Sequence, residues 1–141
     1  MKPILQTENP LVLRTDFSDQ AAWASICATI QAGVDGYYAY VEFVDEVQYK
    51  DLTKDQLLQL LPRDYAHTFL MIVDQPAISL PDHPLLIVDL CDDPGREFRA
   101  IPSQIQSIEN NLSIANMDFE EFAESVDEDG VFRGFPEIGS P

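Results

Sequence analysis

The sequence predicts an α/β fold: a layered sandwich of helices on a mixed, partly parallel sheet of about five strands. One observation is a set of short apolar runs, such as residues 68–73 and 85–88, which are typical of strands covered on both faces. A second is the helical spacing of apolar residues between such runs, as in Trp23, Ile26 and Ile30. Strands and helices alternate along the first half, which is the order of a layered α/β sheet.

The chain of 141 residues, 45% apolar, is long enough for one domain with a substantial core. We interpret residues 1–141 as a single domain, with a loose lead-in over 1–10 and a flexible tail over 136–141. No apolar run is long enough to span a bilayer. Cys27 and Cys91 lack paired spacing, which favours two reduced thiols and a cytoplasmic location.

Residues 11–15 read as the first strand, and Ser18 is the expected N-cap of a helix that ends at Gly33. The aromatic and β-branched residues over 38–44 predict a second strand. A second helix begins at Thr53, where Thr53 and Gln56 have the spacing of a capping box, and it stops at Pro62.

The third and fourth strands are predicted over 68–73 and 85–88. Only about ten residues join them, so the link is either a tight crossover or an antiparallel return. The turn sequence over 92–95 then predicts a hairpin with a strand over 97–101.

The last third is predicted to be helical. Ile105, Ile108 and Leu112 mark one helix, and a second repeat of the same spacing begins at Phe119. Residues 131–135 return an aromatic segment to the core or to a sheet edge. An exposed Phe132 or Phe135 would instead be able to close a dimer.

The charge is −17, from 25 acidic and 8 basic residues. A field of this sign repels nucleic acids and anionic membranes and attracts cationic surfaces. No basic residue lies between Ala100 and Phe132, and seven of the twelve residues from Asp118 to Asp129 are acidic. We therefore expect a binding module without enzymatic activity, which presents an acidic face to a basic protein. The residues of this predicted acidic face are Asp118, Glu120, Glu121, Glu124, Asp127, Glu128 and Asp129.

A different function is indicated by aspartates that follow apolar runs. Asp16, Asp74 and Asp89 each end a predicted strand, and ligands of parallel sheets bind beyond the carboxyl ends of the strands. If these carboxylates converge, they form a site for Mg²⁺ in a hydrolase or a nucleotide-binding protein. Aspartate also commonly caps turns, which is a purely structural role.

No catalytic motif accompanies these residues. The sequence has no glycine-rich phosphate loop, no paired Cys-x-x-Cys and no nucleophile with a clear general base. We therefore expect no enzymatic activity and no cofactor, with magnesium as the alternative. A third alternative is that the charge only keeps the protein soluble.

Four stretches of the chain resemble a family of small bacterial proteins that is described only as a domain of unknown function. These stretches cover residues 11–19, 83–90, 109–122 and 127–135. The resemblance extends from about Pro10 to Phe135 and implies a single-domain bacterial protein of the cytoplasm, with no activity to carry over. Acidic toxin-immunity proteins are a weaker analogy, based on size, charge and the helix sequence over 119–122.

Overall fold

A computed structural model describes residues 3–135, and six strands form one sheet in it. The strands are β1 (Leu11–Arg14), β2 (Glu42–Val44), β3 (Phe69–Val73), β4 (Leu85–Asp89), β5 (Glu97–Ala100) and β6 (Val131–Phe132). The helices are α1 (Gln20–Ala32), α2 (Lys54–Leu60), α3 (Gln75–Ser79), α4 (Ile105–Ser113) and α5 (Phe119–Ala123).

The sheet is mixed, as predicted. Its order is β2-β1-β3-β4-β5-β6. The pairs β1–β2, β1–β3 and β5–β6 are parallel, whereas β4 is antiparallel to both of its neighbours. The sheet has six strands rather than about five because Val131 and Phe132 add an edge strand beside Arg99 and Ala100.

The link between β3 and β4 is an antiparallel return. Asp74 caps α3 by accepting a hydrogen bond from the Ala77 amide (3.4 Å), and that one-and-a-half-turn helix reverses the chain. A parallel crossover needs more residues than this link provides. The carboxyl end of β4 therefore lies at the amino end of β3, where the Leu90 amide donates to the Thr68 carbonyl (2.9 Å).

Both faces of the sheet are buried, which explains the unbroken apolar runs of β3 and β4. One face packs against α1, α3, α4 and α5 and contains Trp23, Ile108 and Phe122. The other packs against α2 and the chain around Ile4 and Tyr49. The result is three layers, helix–sheet–helix, and none of the helices within 3–135 is long and apolar enough to cross a membrane.

The helix starts are set by local capping bonds. Thr53 and Gln56 form the predicted capping box of α2, with both reciprocal hydrogen bonds present. At α1 the N-cap is Asp19, whose carboxylate accepts from the Ala22 amide (3.1 Å). The Ser18 prediction was wrong because Ser18 instead donates to Asp16, through its amide at 2.8 Å.

Two other segments differ from expectation. Residues 38–41 precede β2 without joining the sheet, because tertiary hydrogen bonds hold them on α4 instead. The lead-in, predicted to be loose, is fixed where the structure describes it: Ile4 is buried, and its amide donates to the Leu60 carbonyl (2.8 Å). The predicted tail, 136–141, lies outside the described residues.

Candidate functional site: an acidic cleft at one end of the sheet

Four exposed carboxylates line an open cleft at the end of the sheet where β4 finishes and β5 begins. The cleft has a volume of about 440 Å³. Asp92 and Asp93 come from the β4–β5 turn, and Asp118 and Glu120 come from the start of α5. Arg96 is the one basic residue that lines it, with its guanidinium 3.9 Å from Glu120. We call this surface the acidic cleft.

Asp89 shapes the turn that carries this cleft. Its carboxylate is almost fully buried and accepts hydrogen bonds from the amides of Cys91 and Asp93, both at 2.9 Å. Its carbonyl also accepts from the Gly95 amide (2.8 Å). A buried carboxylate with several backbone donors is satisfied, so Asp89 stabilises the turn and leaves Asp92 and Asp93 directed to solvent.

A smaller cavity adjoins the acidic cleft and is mostly apolar. Its volume is about 140 Å³, and its lining includes Leu112, Met117 and Phe119. Asp89, Asp92 and Asp118 line both cavities. The carboxylates therefore border an apolar depression, which is the usual composition of a protein-binding surface with a charged rim.

All seven residues of the predicted acidic face are exposed. The short helix α5 buries Phe119 and Phe122 against β5, so Glu120, Glu121 and Glu124 lie on its outer side. Phe119 packs edge-on against Phe98, with 5.0 Å between ring centroids. The apolar spacing that predicted the helix thus also determines which carboxylates face solvent.

Part of the predicted acidic face is neutralised within the chain. Arg133 contacts Asp127 and Asp129, each at 2.8 Å, and also Asp82 at 2.9 Å. The pKa of Asp129 lies below its usual value because Arg133 donates hydrogen bonds to the carboxylate. The carboxylates left without a described ion pair on this face are Asp118, Glu121, Glu124 and Glu128.

The strand-end aspartates do not come together. Asp16 and Asp74 follow β1 and β3 at one end of the sheet, whereas antiparallel β4 places Asp89 at the opposite end. Asp74 is bound by Arg99 through two hydrogen bonds of 2.9 and 2.8 Å. Within 3–135 no group of three His, Cys, Asp or Glu side chains is arranged to hold a metal ion. Asp89 therefore does not share a site with Asp16 and Asp74, and the Asp74 carboxylate is already paired with Arg99.

The thiol of Cys27 is poorly suited to nucleophilic chemistry. Burial and the nearby Asp45 carboxylate raise the pKa of its thiol to about 11, so it is protonated at neutral pH. His67 and His83 each bond a backbone carbonyl, that of Thr7 at 2.7 Å and that of Ala77 at 2.8 Å. These contacts give both histidines structural roles.

Phe132 and Phe135, which the sequence allowed as dimer contacts, lie in or beside the core. Phe132 is fully buried, whereas Phe135 is 41% exposed and packs against Phe132 with 4.9 Å between ring centroids. The aromatic groups that the sequence interpretation missed are Tyr37, Tyr38 and Tyr40, which are exposed. The signal in the sequence that could have drawn attention to this region is the absence of Lys and Arg between Arg14 and Lys50.

A search of curated proteins gives no match to this chain. A family model, described as Domain of unknown function (DUF6924), matches residues 9–135, which is almost all of the described structure. This range includes β1–β6, the acidic cleft and the exposed tyrosines. The chain therefore belongs to the DUF6924 family, a domain of unknown function.

Proposed function

We propose that this protein is a non-enzymatic binding module that engages a positively charged protein through the acidic cleft. The observation that carries the proposal is the convergence of Asp92, Asp93, Asp118 and Glu120 on one open surface beside an apolar depression. An immunity-type or regulatory role in the cytoplasm is compatible with this binding mode, and the two free cysteines support that location.

The negative charge that is not neutralised within the chain supports an attractive field at this surface. Five of the basic side chains already lie in ion pairs within the described structure: Arg14, Lys54, Arg96, Arg99 and Arg133. Most of the described carboxylates are not in such a pair, so their negative charge is available to attract a cationic partner. A field of this kind accelerates encounter with a cationic protein and weakens as salt is added.

The shape of the cleft favours a macromolecular partner over a small ligand. Its carboxylates are exposed and come from two separate elements, and the neighbouring apolar cavity is only about 140 Å³. Small-molecule sites are usually enclosed and lined mainly by apolar side chains, whereas the acidic cleft is open and lined by charged ones. A side chain such as Lys or Arg from a partner fits this surface, with its aliphatic part in the depression and its charge among the carboxylates.

The test uses fluorescence anisotropy with a labelled octalysine peptide at low salt. The cleft variant combines Asp92→Asn, Asp93→Asn and Glu120→Gln. The side chains of these three residues take part in no hydrogen bond within the described structure. We expect this variant to bind octalysine about 3- to 150-fold more weakly than the wild type, because each of the three lost rim contacts is worth about 0.2–1 kcal/mol.

The matched control removes the same number of charges elsewhere. It combines Glu46→Gln, Asp51→Asn and Asp55→Asn, which are exposed and lie outside the cleft. We expect a loss of twofold or less in this control. Equal losses in the two variants would contradict the proposal, because they would show that net charge alone attracts the peptide.

A further inference from the structure

Three exposed tyrosines lie on a loop that leads from α1 into β2. The side chains of Tyr37, Tyr38 and Tyr40 are 66%, 52% and 66% exposed. Large aromatic side chains are normally buried, and a cluster of exposed ones typically marks a contact surface. We call Tyr37, Tyr38 and Tyr40 the tyrosine loop.

The loop is rigidly constructed at its tip. Val34 and Tyr37 exchange two backbone hydrogen bonds, both 2.9 Å. Asp35 and Gly36 between them have positive φ angles of 52° and 82°, which is the pattern of a type I′ turn. The turn at the tip therefore holds the backbone of Tyr37 in a fixed position.

The other end of the loop is fixed to α4. The buried Glu109 carboxylate accepts from the Tyr40 amide (2.6 Å), and Asn110 donates to the Tyr38 carbonyl (2.9 Å). Only backbone atoms of the loop are used in these two bonds. Aromatic rings on a preorganised backbone bind at a low entropic cost, which is why tyrosine is common in recognition surfaces.

The tyrosine loop and the acidic cleft lie at the same end of the sheet. The loop precedes β2 at the amino end of the parallel strands, and antiparallel β4 brings the β4–β5 turn to that end. The strand that the loop enters, β2, lies three strand spacings from β4 and four from β5, which is roughly 14–19 Å. An extended peptide of eight residues, about 26 Å long, is able to span both.

The charges around the loop favour a cation. Asp35 lies at the tip of the loop and Glu42 follows its last tyrosine, both within the stretch 15–49 that contains no Lys or Arg. The helix α4, which holds the loop, comes from the second stretch that lacks basic residues. A tyrosine ring in an acidic surrounding attracts a guanidinium through its face, and arginine uses this contact more often than lysine.

We infer that the tyrosine loop is a second contact of the same binding surface and selects arginine side chains of the basic partner. This inference rests on the proposed function, which supplies the acidic cleft. The long-range field of the carboxylates acts equally on lysine and arginine, and any bidentate preference of the carboxylates for arginine persists when the tyrosine rings are removed. The part of the arginine preference that is lost with the rings therefore belongs to the loop.

The experiment compares labelled octa-arginine with octalysine by anisotropy at the same low salt. We expect the wild type to bind octa-arginine about two- to fivefold more tightly. A Tyr37→Gln/Tyr40→Gln variant removes the rings and keeps the fold, so its affinity for octalysine should stay within twofold while its preference for arginine falls. A Tyr37→Phe/Tyr40→Phe variant retains the ring faces and should keep the preference.

Each outcome decides one question. A wild type that binds both peptides equally, or a glutamine variant that keeps the full preference, overturns the role of the tyrosine loop and leaves the acidic cleft intact. Failure of both peptides to bind overturns the proposed function instead. Light scattering provides a further check: a wild-type dimer that becomes monomeric in the glutamine variant would show that a second copy covers the tyrosines, which also overturns the inference.

Discussion

At the scale of single residues, Asp89 illustrates how a buried carboxylate can support a binding surface without touching the ligand. Both of its oxygens accept backbone amides, from Cys91 and Asp93, and these bonds set the turn that presents Asp92 and Asp93. Without them, the two turn amides would lose a charged acceptor, and hydrogen bonds to charged groups contribute about 1.5–3 kcal/mol each.

We expect Asp89→Ala to lower the free energy of unfolding by about 2 kcal/mol or more, because two amides lose their acceptor. Asp89→Asn keeps one acceptor oxygen and should cost about half as much. Urea denaturation measures both changes. Octalysine binding to folded Asp89→Ala should also weaken, because the turn no longer holds Asp92 and Asp93 in place. A fully stable alanine variant would contradict this structural role.

At the scale of elements, α5 and β6 depend on tertiary contacts. A five-residue helix is unstable in isolation. Phe122 anchors it among Phe132 and Phe135, with ring-centroid distances of 5.3 and 5.4 Å. Arg133 then joins β6 to the turn after α5 and to Asp82. This ion-pair cluster closes the turn between α5 and β6 and connects it to Asp82, which is 51 residues from Arg133.

The Arg133 cluster gives stability a defined pH dependence. The pKa of Asp129 is depressed in the folded state, so the cluster stabilises the fold above the ordinary pKa of about 3.8, and this stability is lost as the pH falls through and below that value. Arg133→Gln should therefore lower the Tm at pH 7, and the difference from wild type should shrink below about pH 4. Thermal melts across this range measure it, with Lys50→Gln, exposed and outside the described ion pairs, as the control. A difference that is constant with pH would contradict the assignment.

The elements that were predicted correctly are those specified by local signals. The Thr53 capping box, the apolar runs of β3 and β4 and the hairpin after residues 92–95 all depend on neighbouring residues. Contacts that depend on tertiary packing could not be predicted from the sequence pattern. The direction of β4 separates Asp89 from Asp74, Arg133 neutralises Asp127 and Asp129, and Glu109 holds the Tyr40 amide away from the sheet. The first depends on strand pairing between residues 14 to 20 positions apart and the last on a bond between residues 69 positions apart. The Arg133 contacts are close in sequence but depend on a side-chain direction that the sequence does not specify.

At the scale of the whole molecule, the excess charge has two opposing effects. Carboxylates that lack a basic neighbour repel one another and destabilise the compact state, while the same carboxylates attract a basic partner. Seven close contacts between opposite charges are present in the described structure, and nearly all have an exposed partner. Exposed pairs contribute little to stability, so repulsion should dominate the response to salt.

Raising the NaCl concentration from 10 to 200 mM should therefore increase the Tm of the free protein, because the screening length falls to less than the separation of most unpaired carboxylates. For a domain of this size, each kcal/mol of relieved repulsion corresponds to a rise of about 2–4 °C. The same salt increase should weaken octalysine binding, so the two responses have opposite signs.

A matched series with sucrose, which does not screen charge, separates screening from a general solvent effect. A Tm that falls with salt would show that the internal ion pairs outweigh the repulsion, and the unpaired carboxylates would then be too well compensated to attract a basic partner.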